Sequence, residues 1–426
     1  MSEPEIGFPM KPNDTPEAAG GNGMSIFQMA LAFLKIGAIG FGGGMAVIAL
    51  MEQDCVKRRR CLEAEEFLHG VGLGQILGPF AVNAAIFIGS RMFGPIGGLI
   101  AAISFLLPSV VLVVLLSWLY AAFHHIPSLQ GALAGLGPVV IALILSAAWS
   151  MGRKKLLSVV AIVIATATCV AGVLHVNPVW TLLAAGLAGL GLKLGASLPH
   201  TPPSPQSQRS VLPLWPGMAA AQEISSPAPR PIPVSGPISG GAAAMLSGSV
   251  GLVQLGWMFL KVGLVFFGGG FVLIPVLNHQ LVQELGWLTT QQFMDGVAIS
   301  QLTPGPIAVL ATFAGFLKAG VPGALVATAA LFAPAVILML LISSFYDRLR
   351  GKRFAQDFLA GVEPAVIGLI VAAAIALAPS SISLARPVSV GLGLLALLLL
   401  VRFQWHPAFV LLIGAVAGIA GPGLFH

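Results

Sequence analysis

The chain has 426 residues, of which 57% are hydrophobic and only 8% are charged, and its mean hydropathy is +0.95. A soluble domain carries about 25% charged residues, so this composition excludes a soluble globular enzyme, a secreted disulfide scaffold and a disordered protein, and it indicates a polytopic membrane protein. The formal net charge of +6 fits the Lys and Arg bias of cytoplasmic loops rather than nucleic-acid binding.

Apolar stretches long enough to cross a membrane follow one another along the chain. They fall at roughly 27–51, 67–92, 94–123, 130–151, 154–175 and 178–197, and again at roughly 250–278, 293–317, 319–346, 357–378, 381–402 and 406–424. A polar tail, 1–24, precedes the first series, and a segment rich in Pro, Ser and Ala, 198–245, is predicted to be a linker between the two. We therefore predict two transporter repeats, 25–197 and 246–426.

The second series repeats the first at an offset of 226 residues. The run Phe33-Leu34-Lys35-Ile36-Gly37 lies over Phe259-Leu260-Lys261-Val262-Gly263. Further matches at this offset are Phe41-Gly42-Gly43-Gly44 with Phe267-Gly268-Gly269-Gly270, Phe67 with Phe293, Gly70 with Gly296, Gln75 with Gln301, Gly89 with Gly315, Gly94 with Gly320, Pro108 with Pro334 and Tyr120 with Tyr346. Because Lys, Gln, Pro and Tyr recur without a gap, the sequence indicates an internal duplication.

Loop charges predict that the two halves have opposite orientations in the membrane. Half one carries four basic residues at 57–60, and its equivalent in half two, 278–292, has no Lys or Arg. Half one has no Lys or Arg at 121–130, and its equivalent in half two has four between 348 and 353. Since Lys and Arg gather on the cytoplasmic side, equivalent loops lie on opposite faces, as in transporters with inverted repeats. Parallel halves of six plain spans each are the alternative.

The same charges predict a re-entrant hairpin in each half. The first and third loops of a half lie on opposite faces, although two apolar segments lie between them. One segment must therefore enter and leave on the same face, and we choose 67–92 and 293–317, which Gly78-Pro79 and Pro304-Gly305-Pro306 interrupt. The predicted fold class is an all-α polytopic membrane protein of two inverted repeats, each with about five full spans and one hairpin.

Two glycine triplets, 42–44 and 268–270, fall inside otherwise apolar helices. Each costs roughly 3 kcal/mol of helix propensity, at about 1 kcal/mol per glycine. Close packing of Gly40 and Gly44 against a neighbouring helix is the simpler explanation. A consecutive triplet that occurs twice is better explained by a helix break whose free N–H groups bind an anion.

The segment 301–306, Gln-Leu-Thr-Pro-Gly-Pro, predicts a second kind of break. Two prolines around a glycine end one helix, and the following helix can direct its free N–H groups at the break. Gln301 and Thr303 add neutral hydrogen-bond donors. Half one keeps Gln75, and Asn83 follows its break by one turn. A plain proline kink is the alternative.

Charged residues within the apolar segments are few. A Lys at the bilayer centre costs roughly 2.5–3.5 kcal/mol, so the equivalent Lys35 and Lys261 either face an anion from two sides or extend to the membrane interface. Asp295, His69 at its counterpart position, and Glu363 are candidates for a coupling proton. Ordinary charges near helix ends are the alternative for these three.

The expected substrate-binding residues are Lys35, Gly42, Gly43, Gly44, Gln75, Asn83, Lys261, Gly268, Gly269, Gly270, Gln301, Thr303, Pro304, Gly305 and Pro306. The sequence has no Walker A motif, nucleophile elbow or metal-ligand spacing, and its three Cys follow no metal pattern. We therefore expect no enzymatic activity, no metal and no cofactor.

These motifs resemble the chromate ion transporter family in its long, two-domain form. The resemblance rests on the run 33–44, its copy 259–270 and the 301–306 motif, and it covers both halves. The sequence departs from the family pattern at 78–80, Gly-Pro-Phe, where Pro-Gly-Pro is expected. The resemblance implies a multi-pass protein of the bacterial inner membrane that exports chromate, gives chromate resistance and meets sulfate as a competitor.

A tetrahedral dianion suits backbone N–H groups, helix N-termini and lysines. Expelling a dianion from a negative interior is favourable by roughly 4.6 kcal/mol at 100 mV, so uniport and proton coupling both stay open. A sulfate or oxyanion importer or exchanger, and an anion channel of the same fold, are the alternatives. The expected partners are the oxyanion and the lipid bilayer, without nucleic acid, and a homodimer is left open.

Overall fold

The structure, a computed structural model, describes residues 24–40, 44–64, 66–67, 70–71, 74, 78–123, 126–192, 251–265, 270–344, 353–381 and 387–420. Within these ranges the chain forms helices and turns and contains no strand. The all-α prediction is confirmed for this part of the molecule.

The helices of half one are α1 Ile26–Ile39, α2 Gly44–Met51, α3 Phe80–Phe123, α4 Pro127–Lys155, α5 Val159–Val173 and α6 Pro178–Gly191. Those of half two are α7 Leu252–Leu264, α8 Leu273–Asn278, α9 Thr290–Leu302, α10 Leu310–Ser344, α11 Arg353–Leu377, α12 Pro387–Val401 and α13 Pro407–Ala420. π-helical turns, Glu52–Arg58 and His279–Glu284, extend α2 and α8, and short 3-10 turns occur at Gly270–Val272, Ile307–Val309 and Ala378–Ser380.

Four of the described helices are long and apolar enough to cross a membrane, namely Phe80–Phe123, Ser128–Arg153, Ile307–Leu341 and Ala360–Ser380. Six further apolar helices have 10–17 residues. Exposed Leu107, Val111 and Leu115 form an apolar stripe at helical spacing on α3, as a lipid-facing surface requires. The chain is therefore a polytopic membrane protein, and the count of ten full crossings stays a prediction.

Both predicted breaks fold the chain back into a hairpin. A Cβ on Gly296 would lie 2.5 Å from the ring of Phe313, although residues seventeen positions apart are about 25 Å apart along a straight helix. Gly70 packs against the ring of Phe87 in the same way in half one. The midpoints of these pairs fall at the two breaks, so each segment folds back on itself at its break. Its re-entry into the membrane stays a prediction.

A second reversal follows each hairpin, where α3 and α10 turn at a glycine in the left-handed region. Gly94 has φ 67 and Gly320 has φ 61, a conformation that glycine adopts without steric cost. The arms on either side pack closely at two equivalent pairs of glycines, Gly89 with Gly97 and Gly315 with Gly323. The predicted boundaries between the second and third apolar segments fall at these turns.

The two halves interlock by exchanging equivalent contacts. α4 of half one packs against α12 and α13 of half two, and α11 of half two packs against α5 and α6 of half one. Small residues allow this approach, since Gly135 meets the backbone of Gly414, and its counterpart Gly361 meets that of Ala185. Reciprocal contacts of this kind characterise a two-fold relation. The orientation of that axis in the membrane, and so the inverted arrangement, stays a prediction.

Candidate functional site

The break in half two lies between α9 and the 3-10 turn that begins at Ile307. Thr303 ends α9 in an extended conformation, at φ −92 and ψ 148. Pro304 and Pro306 have no N–H and so end the helical hydrogen bonding, and Gly305 takes φ 105, which favours glycine. The break predicted from the sequence is therefore present, as a turn rather than a kink within one helix.

The break in half one has the same turn, but the turn is shifted by one residue relative to the 226-residue offset of the repeat. Gly78 takes φ 111, and α3 begins two residues later at Phe80. The offset of 226 pairs Gly78 with Pro304, but the backbone pairs it with Gly305. The Gly-Pro step is thus common to both halves, and the alignment without a gap is wrong by one residue here. Half one therefore has Leu77 where half two has Pro304.

The last glycine of each triplet lies beside one of these turns. The structure describes one residue of each, Gly44 and Gly270, and the others, Gly42, Gly43, Gly268 and Gly269, lie outside the described residues. A Cβ on Gly44 would overlap the ring of Phe80, and a Cβ on Gly270 would lie 2.6 Å from Ile307. Each triplet therefore ends against the first residue after the break of its own half.

Residues of half one form hydrogen bonds with the break of half two. The Gly305 N–H donates to the Gly40 carbonyl at 3.1 Å, and the Ser109 hydroxyl donates to the Pro304 carbonyl at 2.6 Å. A Cβ on Gly305 would overlap the Ser109 hydroxyl, so this close approach requires glycine. The end of α1, the middle of α3 and the break of half two thus meet at one point between the halves.

Three polar side chains line the arms next to the breaks. Gln301 lies in the last turn of α9, and its buried Nε2 has no hydrogen-bond partner among the described residues. Asn83 is fully buried, donates from Nδ2 to the Gly74 carbonyl at 3.2 Å and leaves Oδ1 unpartnered in the described part of the chain. The Thr303 hydroxyl already donates to a backbone carbonyl of α9, at 2.9 Å. Gln301 therefore offers the free side-chain donor.

The two lysines lie apart from this point. Lys35 is on the exposed side of α1, and Lys261 is on the exposed side of α7. The opposite faces of these helices pack closely, with Gly37 against the Phe105 carbonyl on α3. Their positions favour the interpretation that both side chains extend to the membrane interface.

The proton candidates have different surroundings. Asp295 is 2% exposed and accepts hydrogen bonds from Tyr120 Oη and Gln291 Nε2, each at 2.9 Å. Glu363 forms a partly exposed ion pair with Lys155 at 2.8 Å. His69 and the binding candidate Gln75 lie outside the described residues.

Sequence reasoning missed the groups that join the halves, namely Ser109, Gly40 and the role of Tyr120. Tyr120 carried a signal, because it recurs in the repeat. Ser109 is a polar residue within an apolar run, which is a weak signal, and Gly40 resembled a packing glycine. Among the described residues, no group of three His, Cys, Asp or Glu side chains is placed to hold a metal ion.

The arrangement brings neutral donors to one place in an apolar protein. A helix, α3, begins just after the Gly-Pro step of half one, and a 3-10 turn that leads into α10 begins just after that of half two. The first N–H groups of such segments have no partner within them. Such ends attract anions, and the Gln301 amide adds a directed donor beside one of them. The site can therefore coordinate a compact anion without a fixed positive charge.

A protein-family model described as chromate transporter matches residues 27–190 and 253–419. The chromate transport protein of Cupriavidus metallidurans is 30% identical over 405 residues, or 94% of each chain. That of Pseudomonas aeruginosa is 32% identical over 97% of this chain and 96% of its own length, and the probable chromate transport protein of Synechococcus elongatus is 29% identical over 93% of this chain and 95% of its own. No solved structure matches significantly. The chain belongs to the chromate transporter family.

Proposed function

We propose that the chain is a secondary transporter that exports chromate across the bacterial inner membrane and so confers chromate resistance. The relatives named as chromate transport proteins cover nearly the whole chain, which supports chromate as the substrate. The observation that carries the proposal is the meeting of the half-two break with α1 and α3. The Gly305 N–H donates there to the Gly40 carbonyl, and the nearby Gln301 has a buried amide donor without a partner among the described residues.

Chromate is a tetrahedral dianion, and its four oxygens accept hydrogen bonds from several directions. Backbone N–H groups at helix starts and one amide suit such a ligand better than a cation pair, because neutral donors bind the anion and still release it. The Lys35 and Lys261 side chains are not needed in this site. The membrane potential favours export by roughly 4.6 kcal/mol per dianion at 100 mV.

Transport follows if the site opens to one side of the membrane at a time. The half-two break lies in a hairpin that contacts half one, so a shift of one half against the other changes which side of Gln301 is open. Transporters with paired repeats commonly alternate in this way around a site at broken helices. We place the two hairpins at the centre of that movement.

The test is chromate flux into and out of proteoliposomes that contain the purified full chain. We expect flux that saturates with chromate and is accelerated by chromate on the opposite side, because a carrier returns faster when loaded. Flux proportional to chromate concentration, without that acceleration, would instead identify an anion channel. Sulfate transported with a higher kcat/KM than chromate would identify a sulfate carrier of the same fold.

A further inference from the structure

We propose that Asp295 binds a proton that the chain exchanges for the oxyanion. We also propose that this proton weakens the hydrogen bond from Tyr120 of half one to Asp295 of half two. The inference rests on the proposed transport function, because a coupling proton requires a transported anion. It goes further by assigning a second ligand, the proton, to a site that is separate from the Gln301 break.

Asp295 is set apart from the other described acidic side chains by its burial. It is 2% exposed, and it is the one charged residue that is buried among the described residues. Glu363 and Glu66 are partly exposed, and they form ion pairs with Lys155 and Arg91. Among the described residues, the groups that donate to the Asp295 carboxylate are both neutral, the Tyr120 hydroxyl and the Gln291 amide.

No described cation compensates the Asp295 carboxylate. Tyr120, from α3, is the titratable group that faces it. The described charged side chains on the long helices packed against α9 are Arg91 on α3, Lys318 on α10, and Arg153 and Lys155 on α4. None of these four forms an ion pair with Asp295, and α13 carries no charged residue. A carboxylate taken out of water without a cation is costly, and one bound proton removes that cost.

The position of Asp295 links the proton to the movement of the hairpin. Half one holds the first arm of the half-two hairpin at both ends, through Tyr120 on Asp295 at its start and Ser109 on Pro304 at its tip. A hydrogen bond to an ionised carboxylate is roughly twice as strong as a neutral one. Protonation of Asp295 therefore weakens the hydrogen bond from Tyr120, near the start of α9. Gln301 lies at the other end of this helix.

The proton balance is simple. One proton from the solution binds a carboxylate oxygen of Asp295 in one orientation of the halves and leaves to the opposite solution in the other. Tyr120 keeps its own proton throughout and acts as a positioning residue. No bond other than the carboxyl O–H is formed or broken.

The experiment measures chromate flux in proteoliposomes at a clamped membrane potential, with and without an imposed pH gradient. The test variant is Asp295→Asn, which keeps the shape of the side chain but cannot ionise. We expect its net flux to lose the response to the pH gradient, while chromate exchange between equal concentrations persists. Glu284→Gln, at a carboxylate that is 51% exposed, is the matched control, and its flux should respond to the gradient as the unmodified chain does.

A gradient response in Asp295→Asn equal to that of the unmodified chain would overturn the proposal. Should that variant fail to fold, Tyr120→Phe serves as a second test, because it keeps the ring on Phe313 and removes one donor to the carboxylate. We expect the midpoint of its pH–flux profile to move to higher pH, and an unmoved midpoint would contradict the proposal.

The outcomes separate this inference from the proposed function. Absence of chromate flux at every pH in the unmodified chain would defeat the transport function itself. Chromate flux that ignores pH in the unmodified chain would leave the transport function standing and defeat the role of Asp295 alone.

Discussion

Equivalent glycines make equivalent contacts in the two halves of the molecule. Gly37 packs against the carbonyl of Phe105, and Gly263 packs against the carbonyl of Leu331, each pair 226 residues from the other. The same holds for the glycines at the hairpins and at the reversals that follow them. The backbone framework has therefore kept the symmetry of the duplication.

The polar side chains at equivalent positions of the two halves do not share this symmetry. Ser109 donates to the Pro304 carbonyl, whereas its counterpart in half two is Ala335, which has no hydroxyl. At Asp295, half one has His69 instead. The two halves thus share a backbone framework but differ in their polar side chains, and most of the polar contacts described here involve the half-two hairpin.

Two equivalent positions in the interface between the halves also differ in their polar side chains. Lys155 of half one pairs with Glu363 of half two at 2.8 Å. At the counterpart positions, a Cβ on Gly137 would lie 2.5 Å from the Ser381 hydroxyl, so small side chains pack there without charge. An ion pair therefore joins the halves at one of these two positions, and close packing of small residues joins them at the other.

The largest effect expected is loss of the folded protein on filling either interlocking glycine. In Gly135→Leu and Gly361→Leu, the new side chain meets backbone of the opposite half, which cannot move aside, and we expect a cost of about 3 kcal/mol. The measurement is the monodisperse fraction after detergent extraction. Gly391→Leu is the control, since nothing lies within 4 Å of its added Cβ. Loss of the monodisperse fraction in only one of the two variants would show that the two interlocking contacts are not equivalent.

The next prediction tests whether the halves are inverted. Cys61 lies in the basic loop and is only partly buried, so a water-soluble maleimide can reach its thiol. With Cys55→Ser and Cys169→Ala in the background, we expect an impermeant maleimide to label Cys61 from the cytoplasmic side. Glu284→Cys, in the equivalent loop of half two, should be labelled from the opposite side in a chain without Cys61.

Labelling of both positions from the same side would show parallel halves and contradict the inverted arrangement. The comparison between the two loops is direct, because both follow a π-helical turn at equivalent positions, Glu52–Arg58 and His279–Glu284.

A smaller effect is expected from the prolines at the two breaks. The residue before the Gly-Pro step is Pro304 in half two and Leu77 in half one, and the Pro304 carbonyl accepts the Ser109 hydroxyl at 2.6 Å. We expect Pro304→Ala to lower the kcat/KM for chromate by about tenfold, equivalent to about 1.4 kcal/mol, and Pro79→Ala to lower it less. Flux assays on both variants check this, and equal losses would remove the functional difference between the breaks.

The smallest effect is expected from the lysines. Because Lys35 and Lys261 lie on the exposed sides of their helices, we expect Lys35→Ala and Lys261→Ala each to change chromate flux by less than about twofold, as surface substitutions usually cost within about 0.5 kcal/mol. A large loss in both variants, with normal membrane insertion, would restore the pair of cations to the binding site.

The sequence located the local features of the fold well. Gly78, Gly305, Gly94 and Gly320 mark turns because glycine and proline restrict or release the backbone wherever they stand. The long-range features were not predictable in the same way. The packing of Gly135 on Gly414 joins residues far apart in the chain, and many glycines in this sequence could make such a contact.

The side-chain partners in the site were hidden for a related reason. Periodicity places Lys35 on a helix but does not say which face of α1 is covered, and α3 decides that. The tie between Tyr120 and Asp295 depends on how α3 runs beside the half-two hairpin. The one-residue shift at Gly78 was hidden because the flanking matches fit without a gap.

The most direct test of the central claim, that the oxyanion binds at the half-two break, is chromate flux in proteoliposomes for Gln301→Glu against Gln292→Glu. Both variants place the same charge on α9. Gln292 caps the start of that helix through its side chain, a role that Glu also fills. Like charges placed together cost several kcal/mol, so we predict that Gln301→Glu loses at least about tenfold in kcat/KM while Gln292→Glu transports normally. Equal flux in the two variants would contradict a binding site at Gln301.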